Sequence, residues 1–167
     1  YKGLKPVIWC ADCETALAEA EVEYADISSA SIYVRFKFDS DSVSKINNFV
    51  DTKGKDVYAI IWTTTPWTIP SNMAISMHPR FEYTFFTYAD DVYVVAQELL
   101  GAFLADVEWE ESDINVIGSC KGQDLELLET QHPLVDRKSP IILGEHVTLD
   151  AGTGSVHTAP GHGLEES

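Results

Sequence analysis

An apolar run that ends in threonines and prolines places the strongest constraint on this chain. Val57, Tyr58, Ala59, Ile60, Ile61 and Trp62 lead into Thr63, Thr64 and Thr65, then Pro66, Trp67, Thr68, Ile69, Pro70, Ser71 and Asn72. β-Branched residues after an apolar run read as the end of a strand. Pro66 has no N–H and restricts Thr65 to extended geometry. The strand should therefore break off with its last hydroxyls at the rim of a sheet. Trp67 would supply a flat wall, and Pro70 would stop the chain again before Asn72. Threonines closed by a proline can be a strand terminus and nothing more. Concentration points further: four threonine hydroxyls, one amide and a tryptophan stand within ten residues. Such a rim can hydrogen-bond a polar ligand without placing a charge in its pocket.

The flanking sequence predicts mostly short strands. Over residues 31–39, Ile32, Val34, Phe36 and Phe38 alternate with Tyr33, Arg35 and Lys37, the pattern of a half-buried strand. Alternation of Glu19, Glu21 and Glu23 with Ala20, Val22 and Tyr24 predicts another over 19–24. Further strands are expected at 74–77, 81–88, 92–95, 115–119, 141–143, 146–149 and 155–158, with a hairpin turn at Ala89, Asp90 and Asp91. A short helix capped by Asp41 or Ser42 is expected over 41–49. A second, over 98–107, carries Leu99, Leu100, Phe103 and Leu104 at helical spacing. Many short strands with few helices predict a mainly β fold: a small closed or nearly closed β-barrel decorated with short helices.

At 167 residues and 45% hydrophobic content the chain is long enough for one domain with a real core. No apolar run approaches membrane-spanning length. The chain opens at Tyr1 without a methionine and reads as a fragment of a longer protein. Three cysteines do not make a disulfide framework, and a reducing cytoplasm fits best. Cys10 and Cys13 form half of a four-ligand zinc site. The net charge of −16 excludes holding a nucleic-acid body through the overall field, because phosphates need Lys and Arg.

Several patterns point to chemistry the chain does not complete. Gly152, Thr153, Gly154 and Ser155 lack the Gly-Lys step of a phosphate loop and read as a tight turn. His157 and His162, with Glu165 and Glu166 behind them, could form a metal cluster, but Pro160 and Gly161 break any helix between them. A structural role for either histidine is the plain alternative. No GxSxG elbow is present, so a covalent intermediate is not supported.

Three segments carry a resemblance. WTTTPWTIPSN (residues 62–72) is similar to the threonine-rich peptide of the editing domain of isoleucyl-tRNA synthetases. The sister enzymes for valine and leucine carry an arginine where Thr65 stands. LDAGTGSVHTAPGHG (residues 149–163) is a second match, and the segment from Lys5 through Cys10 and Cys13 to Tyr24 is a third. They lie in the family's order and bracket nearly the whole chain. The resemblance implies a connecting ribbon with the CxxC half-site over 1–26 and an editing core over 27–167.

The resemblance also implies an activity: hydrolysis of mischarged valyl-tRNA(Ile), with valyl-adenylate a further candidate substrate. An aminoacyl ester is already activated. Its hydrolysis needs placement, a water beside the carbonyl and donors for the developing oxyanion. Thr63, Thr64 and Thr65 would supply the catalytic groups. Trp67, Thr68, Asn72, His157, Gly161, His162 and Gly163 would bind the substrate, with His157 against its side chain. The family's ammonium-binding aspartate falls on Glu166, one methylene longer, with Asp150 as the fallback acid. No metal and no cofactor would serve editing; ATP and magnesium would belong to another domain of the parent synthetase. Its partners would be the valine-bearing 3′-terminal adenosine of tRNA(Ile) and the parent's catalytic domain, in a cytoplasmic monomer that touches no membrane. The alternatives are a non-catalytic module that positions the acceptor end, and a metal-dependent hydrolase.

Overall fold

The computed structural model describes residues 7–26 and 28–161. They fall into two compact units, one within Tyr1–Ala30 and one within Ser31–Ser167.

In the first unit, β1 (Ile8–Cys10) and β2 (Thr15–Leu17) form an antiparallel hairpin with Ile8 opposite Leu17 and Cys10 opposite Thr15. At its turn the Cys13 N–H lies 3.4 Å from Cys10 Sγ, and this donor lowers the pKa of the Cys10 thiol. The strand expected over 19–24 does not form. Glu19–Glu21 is a 3-10 helical turn instead, and the Glu21 carboxylate accepts the Ala18 N–H at 2.8 Å. Alternation alone does not hold a strand that lacks a partner to pair with.

The second unit is built on β3 (Ile32–Phe38), β4 (Val57–Thr63), β5 (Ala74–Met77), β6 (Glu82–Tyr88), β7 (Asp91–Ala96), β8 (Ile114–Lys121), β9 (Glu129–Gln131), β10 (Lys138–Leu143) and β11 (Ser155–Thr158). Their order is β11-β5-β10-β9-β3-β4-β7-β6-β8. The sheet is mixed: β4 with β7 and β10 with β5 are parallel, and the other pairs are antiparallel. Of the closed or nearly closed barrel expected, the closed form is not found: among the described residues no ladder joins β11 to β8. The sheet returns on itself through single bonds. Thr153 Oγ1 donates to Ile60 O at 2.5 Å, and the Ala96 N–H donates to Thr153 O at 2.8 Å. The segment before β11 is thereby tied to β4 and to the end of β7.

β4 explains its own unbroken apolar run. Val57, Ala59 and Ile61 enter one core with Phe36, Phe38, Ile75, Met77, Phe85 and Val94. Ile60 enters a second, with Phe86, Tyr93, Val95, Phe103 and Leu104. A strand covered on both faces needs apolar residues at successive positions, not alternate ones. The second core is roofed by α2 (Leu100–Asp106), which follows a 3-10 turn at Gln97–Leu99. Residues 146–149 are not a strand. β5 and β10 already have both edges paired, so no edge there is left for them; of the four, only Val147 is buried.

The first helix, α1 (Ser40–Ile46), starts earlier than expected, and its cap is Asp39, not Asp41 or Ser42. Asp39 Oδ1 accepts the Ser42 N–H at 2.8 Å, and Lys138 Nζ lies 2.8 Å from Asp39 Oδ2. Burial pushes the Asp39 carboxyl up, but the Lys138 ammonium and the Ser42 donor outweigh it and hold the pKa down at about 2. Asp39→Ala should destabilise the fold by about 1 kcal/mol near neutral pH. A depressed carboxyl contributes stability that is present above its unfolded pKa of about 4 and lost as pH falls toward 2. Urea midpoints of wild type and Asp39→Ala should therefore converge across that window.

Candidate functional site

The rim forms where β4 ends. Thr65 caps a 3-10 helical turn over Pro66–Ser71, with φ −123° and ψ 62°. Within it the Thr68 N–H donates to Thr65 O at 3.0 Å and the Asn72 N–H to Ile69 O at 2.9 Å. β11 is laid beside β5 with His157 opposite Ile75, and the Met73 N–H donates to Thr158 O at 2.9 Å. This register sets the buried His157 ring between Thr68 and Asn72.

The hydrogen bonds there assign their own protons. Ala74 O can only accept, so the Asn72 atom 2.8 Å from it is the amide nitrogen. The Ser139 hydroxyl accordingly donates to Asn72 Oδ1 at 2.6 Å. The second amide proton of Asn72 faces His157 Nδ1 at 2.8 Å, so Nδ1 is the acceptor and the ring proton sits on Nε2. Nε2–H then donates to Thr68 Oγ1 at 2.9 Å, and the Thr68 hydroxyl donates to Thr65 O at 2.8 Å. Both ring nitrogens are thus engaged by protein groups, which fix the ring orientation.

The remaining threonines close the rim. Thr63 Oγ1 accepts the Thr65 N–H at 3.0 Å and lies 3.2 Å from Thr65 Oγ1. Thr65 Oγ1 is also 3.4 Å from Thr68 Oγ1. A cavity of about 200 Å³ opens on Trp62, Thr63, Thr64, Thr65, Thr68, Val156, His157 and Ala159. Among these described residues there is no Asp, Glu, Lys or Arg. A second cavity of about 310 Å³ shares Trp62 and Val156 as walls and is completed by residues that include His146, Asp150, Thr153 and Ser155. Gly152, at φ +80°, lets Trp62 stand there: a Cβ would lie 3.3 Å from that of Trp62.

Five of the expected residues therefore meet at one cavity: Thr63, Thr64, Thr65, Thr68 and His157. Asn72 is fully buried behind the wall and reaches the cavity only through His157. Trp67 is a correction. It is 71% exposed and does not line the cavity, because the turn begun by Pro66 carries it outward. The aromatic wall is Trp62. Gly161, at φ +85°, is exposed in a turn beyond β11 and does not line the cavity. His162, Gly163 and Glu166 lie outside the described residues. Ser139 carried no sequence signal; only its register on β10 brings its hydroxyl to Asn72.

Residues 1–124 match the family model described as tRNA synthetases class I (I, L, M and V). The chain belongs to that family. Among curated class I relatives, the isoleucine–tRNA ligase of Thermoanaerobacter pseudethanolicus is 52% identical over 166 residues, and that of Desulforamulus reducens is 55% identical over 170. Each alignment takes in 99% of this chain and 17% of the relative, so the chain spans about a sixth of their length. A solved editing domain of the Plasmodium falciparum cytosolic leucyl-tRNA synthetase superposes with a TM-score of 0.63 at 15% identity, over 79% of this chain and 61% of that one. The fold of this class I synthetase segment is thus that of a synthetase editing domain.

Asn72 holds the class I segment's site together, and its removal can be read in stability. Asn72→Leu would leave the Ser139 hydroxyl, Ala74 O and His157 Nδ1 without their partner. With a buried unpaired polar group costing about 1–3 kcal/mol, the loss should be on the order of 2–4 kcal/mol in urea unfolding. A loss under about 0.5 kcal/mol would contradict the network.

Proposed function

We propose that this chain is the hydrolytic proofreading domain of an isoleucyl-tRNA synthetase and cleaves valyl-tRNA(Ile) to free valine. The observation that carries the reading is a threonine-rimmed cavity of about 200 Å³ walled by a histidine whose two ring nitrogens are both tied down. The names of the close relatives and the editing-domain fold support it.

The need for such a site is energetic. An apolar pocket sized for isoleucine cannot strongly reject valine, since one methylene is worth about 1–3 kcal/mol, a limit for which isoleucyl-tRNA synthetase itself is the standard example. A second site that admits valine and excludes isoleucine completes the discrimination. In this reading the valine side chain enters the smaller cavity and the terminal adenosine takes the larger one, across Trp62 and Val156. The imidazole of His157 cannot turn aside without giving up Asn72 or Thr68, so it acts as a rigid stop for the extra methylene. It is not the base, because Nδ1 already accepts a proton and Nε2 already donates one.

The Thr68 proton is claimed by Thr65 O. The Thr63–Thr65 hydroxyl pair has only its mutual bond and the long 3.4 Å contact with Thr68 Oγ1 among the described residues, and one of its two protons can turn to the ester oxygen or the attacking water. Glu166 would hold the substrate ammonium. The hydrolysis draws on no cofactor. The acidic chain would grip only the terminal nucleotide and leave the tRNA body to other parts of the parent enzyme, a cytoplasmic monomer.

His157→Ala tests this reading in the complete synthetase. Isoleucyl-tRNA(Ile), spared by the wild type, should become a substrate, with hydrolysis at least about tenfold faster, while valyl-tRNA(Ile) is still cleaved. A metal role for His157 predicts loss of both activities. A non-catalytic positioning module predicts no deacylation by either protein.

A further inference from the structure

The loop between β9 and β10 holds a buried histidine that no sequence motif marked. His132 is 3% exposed and meets Phe36 edge-on at 5.9 Å. Its Nδ1 accepts two backbone donors of its own loop, the N–H of Leu134 at 3.0 Å and that of Val135 at 3.2 Å. The ring proton must then sit on Nε2, which lies 2.8 Å from Ile69 O. That carbonyl is the one that also accepts the Asn72 N–H, at 2.9 Å. One residue on, Arg137 Nη2 donates to Pro70 O at 2.8 Å.

These bonds fall at a weak place. Ile69 O has the 3-10 bond from the Asn72 N–H, the carbonyls that follow it are left over at the end of the turn, and a 3-10 turn has poorer hydrogen-bond geometry than an α-helix. Pro66–Ser71 carries Thr68 inside it and Asn72 at its C-terminal end, so any drift of its last residues moves both groups that orient His157.

We propose that His132 and Arg137 are positioning residues of the site: they clip Ile69 O and Pro70 O to the β9–β10 loop and so fix Asn72, and through it the orientation and tautomer of the His157 ring. The consequence for deacylation rests on the proofreading reading above; the consequence for the ring does not. The account separates the two faces of His132. The loop-facing Nδ1 sets the tautomer, but the turn-facing Nε2–H carries the coupling.

Two conservative variants divide these faces. His132→Asn offers an amide atom near the place of Nδ1 and cannot reach Ile69. His132→Gln offers an amide N–H near the place of Nε2 and keeps the bond to Ile69 O. In the complete synthetase, His132→Asn should lower kcat for valyl-tRNA(Ile) deacylation by about tenfold with little change in KM, and His132→Gln should recover most of that loss. Ring ¹⁵N shifts of His157 should report the Nε2–H tautomer in wild type and His132→Gln, and a mixture in His132→Asn. A merely structural role would lower the melting temperature of both variants and leave the His157 signals of the folded protein unchanged. Folded His132→Asn with wild-type ring signals overturns the proposal. Should His132→Asn not fold, Arg137→Met releases Pro70 O alone: a partial tautomer shift supports the clip, and unchanged signals overturn it. If the wild type shows no deacylation while the ring signals still respond, the clip stands and the proofreading reading fails.

Discussion

One side-chain amide organises this site. Asn72 receives the Ser139 hydroxyl from β10, gives one proton to Ala74 O at the start of β5 and the other to His157 on β11. Its backbone N–H closes the 3-10 turn on Ile69 O. Three strands and a turn thus converge on one uncharged group that is fully buried. An amide suits the position because it supplies acceptor and donors at once. A carboxylate there would have to bury a charge or take a proton. The orientation of the His157 imidazole, and through it the bond to the Thr68 hydroxyl, follows from this amide.

The sheet serves the same end. Because β4 is buried on both faces, its end at Thr63 is anchored by two cores and the threonines that follow start from a rigid base. The sheet then curls without a closing ladder among the described residues, and Thr153 bonds the returning chain to Ile60 O and to the Ala96 N–H. That open return leaves room for two cavities divided by Trp62 and Val156. Among the described residues, no aspartate or glutamate lines the smaller cavity, and Asp150 lines the larger one.

Local patterns revealed what local physics decides. The apolar run into Pro66 announced β4 and the position of its end to within two residues, because burial on two faces and a proline leave few alternatives. Alternation revealed the existence of β3, although its first half is less buried than the pattern implied. Position relative to distant strands was not legible. Trp62 and Trp67 are equivalent by composition, and only the outward path of the turn makes the first a wall and the second a surface residue. Ser139 and His132 lie in no motif, and their roles exist only because β10 and its loop pack on the threonine peptide. Residues 146–149 had strand composition but no free sheet edge at β5 or β10, a condition set by the whole topology. Asp39 is the cap of α1, where Asp41 and Ser42 were expected, and Lys138 pairs with the carboxylate oxygen that the cap leaves over.

The central claim is that the two adjoining cavities receive one ligand, side chain in the smaller and nucleoside in the larger. A crystal structure of the protein with a non-hydrolysable valyl-adenosine analogue tests it directly. The account predicts the valyl group against His157 and the threonine rim, with the adenosine beyond Trp62 beside Gly152 and Thr153. A ligand bound away from both cavities, or with its adenosine in the smaller one, would contradict it.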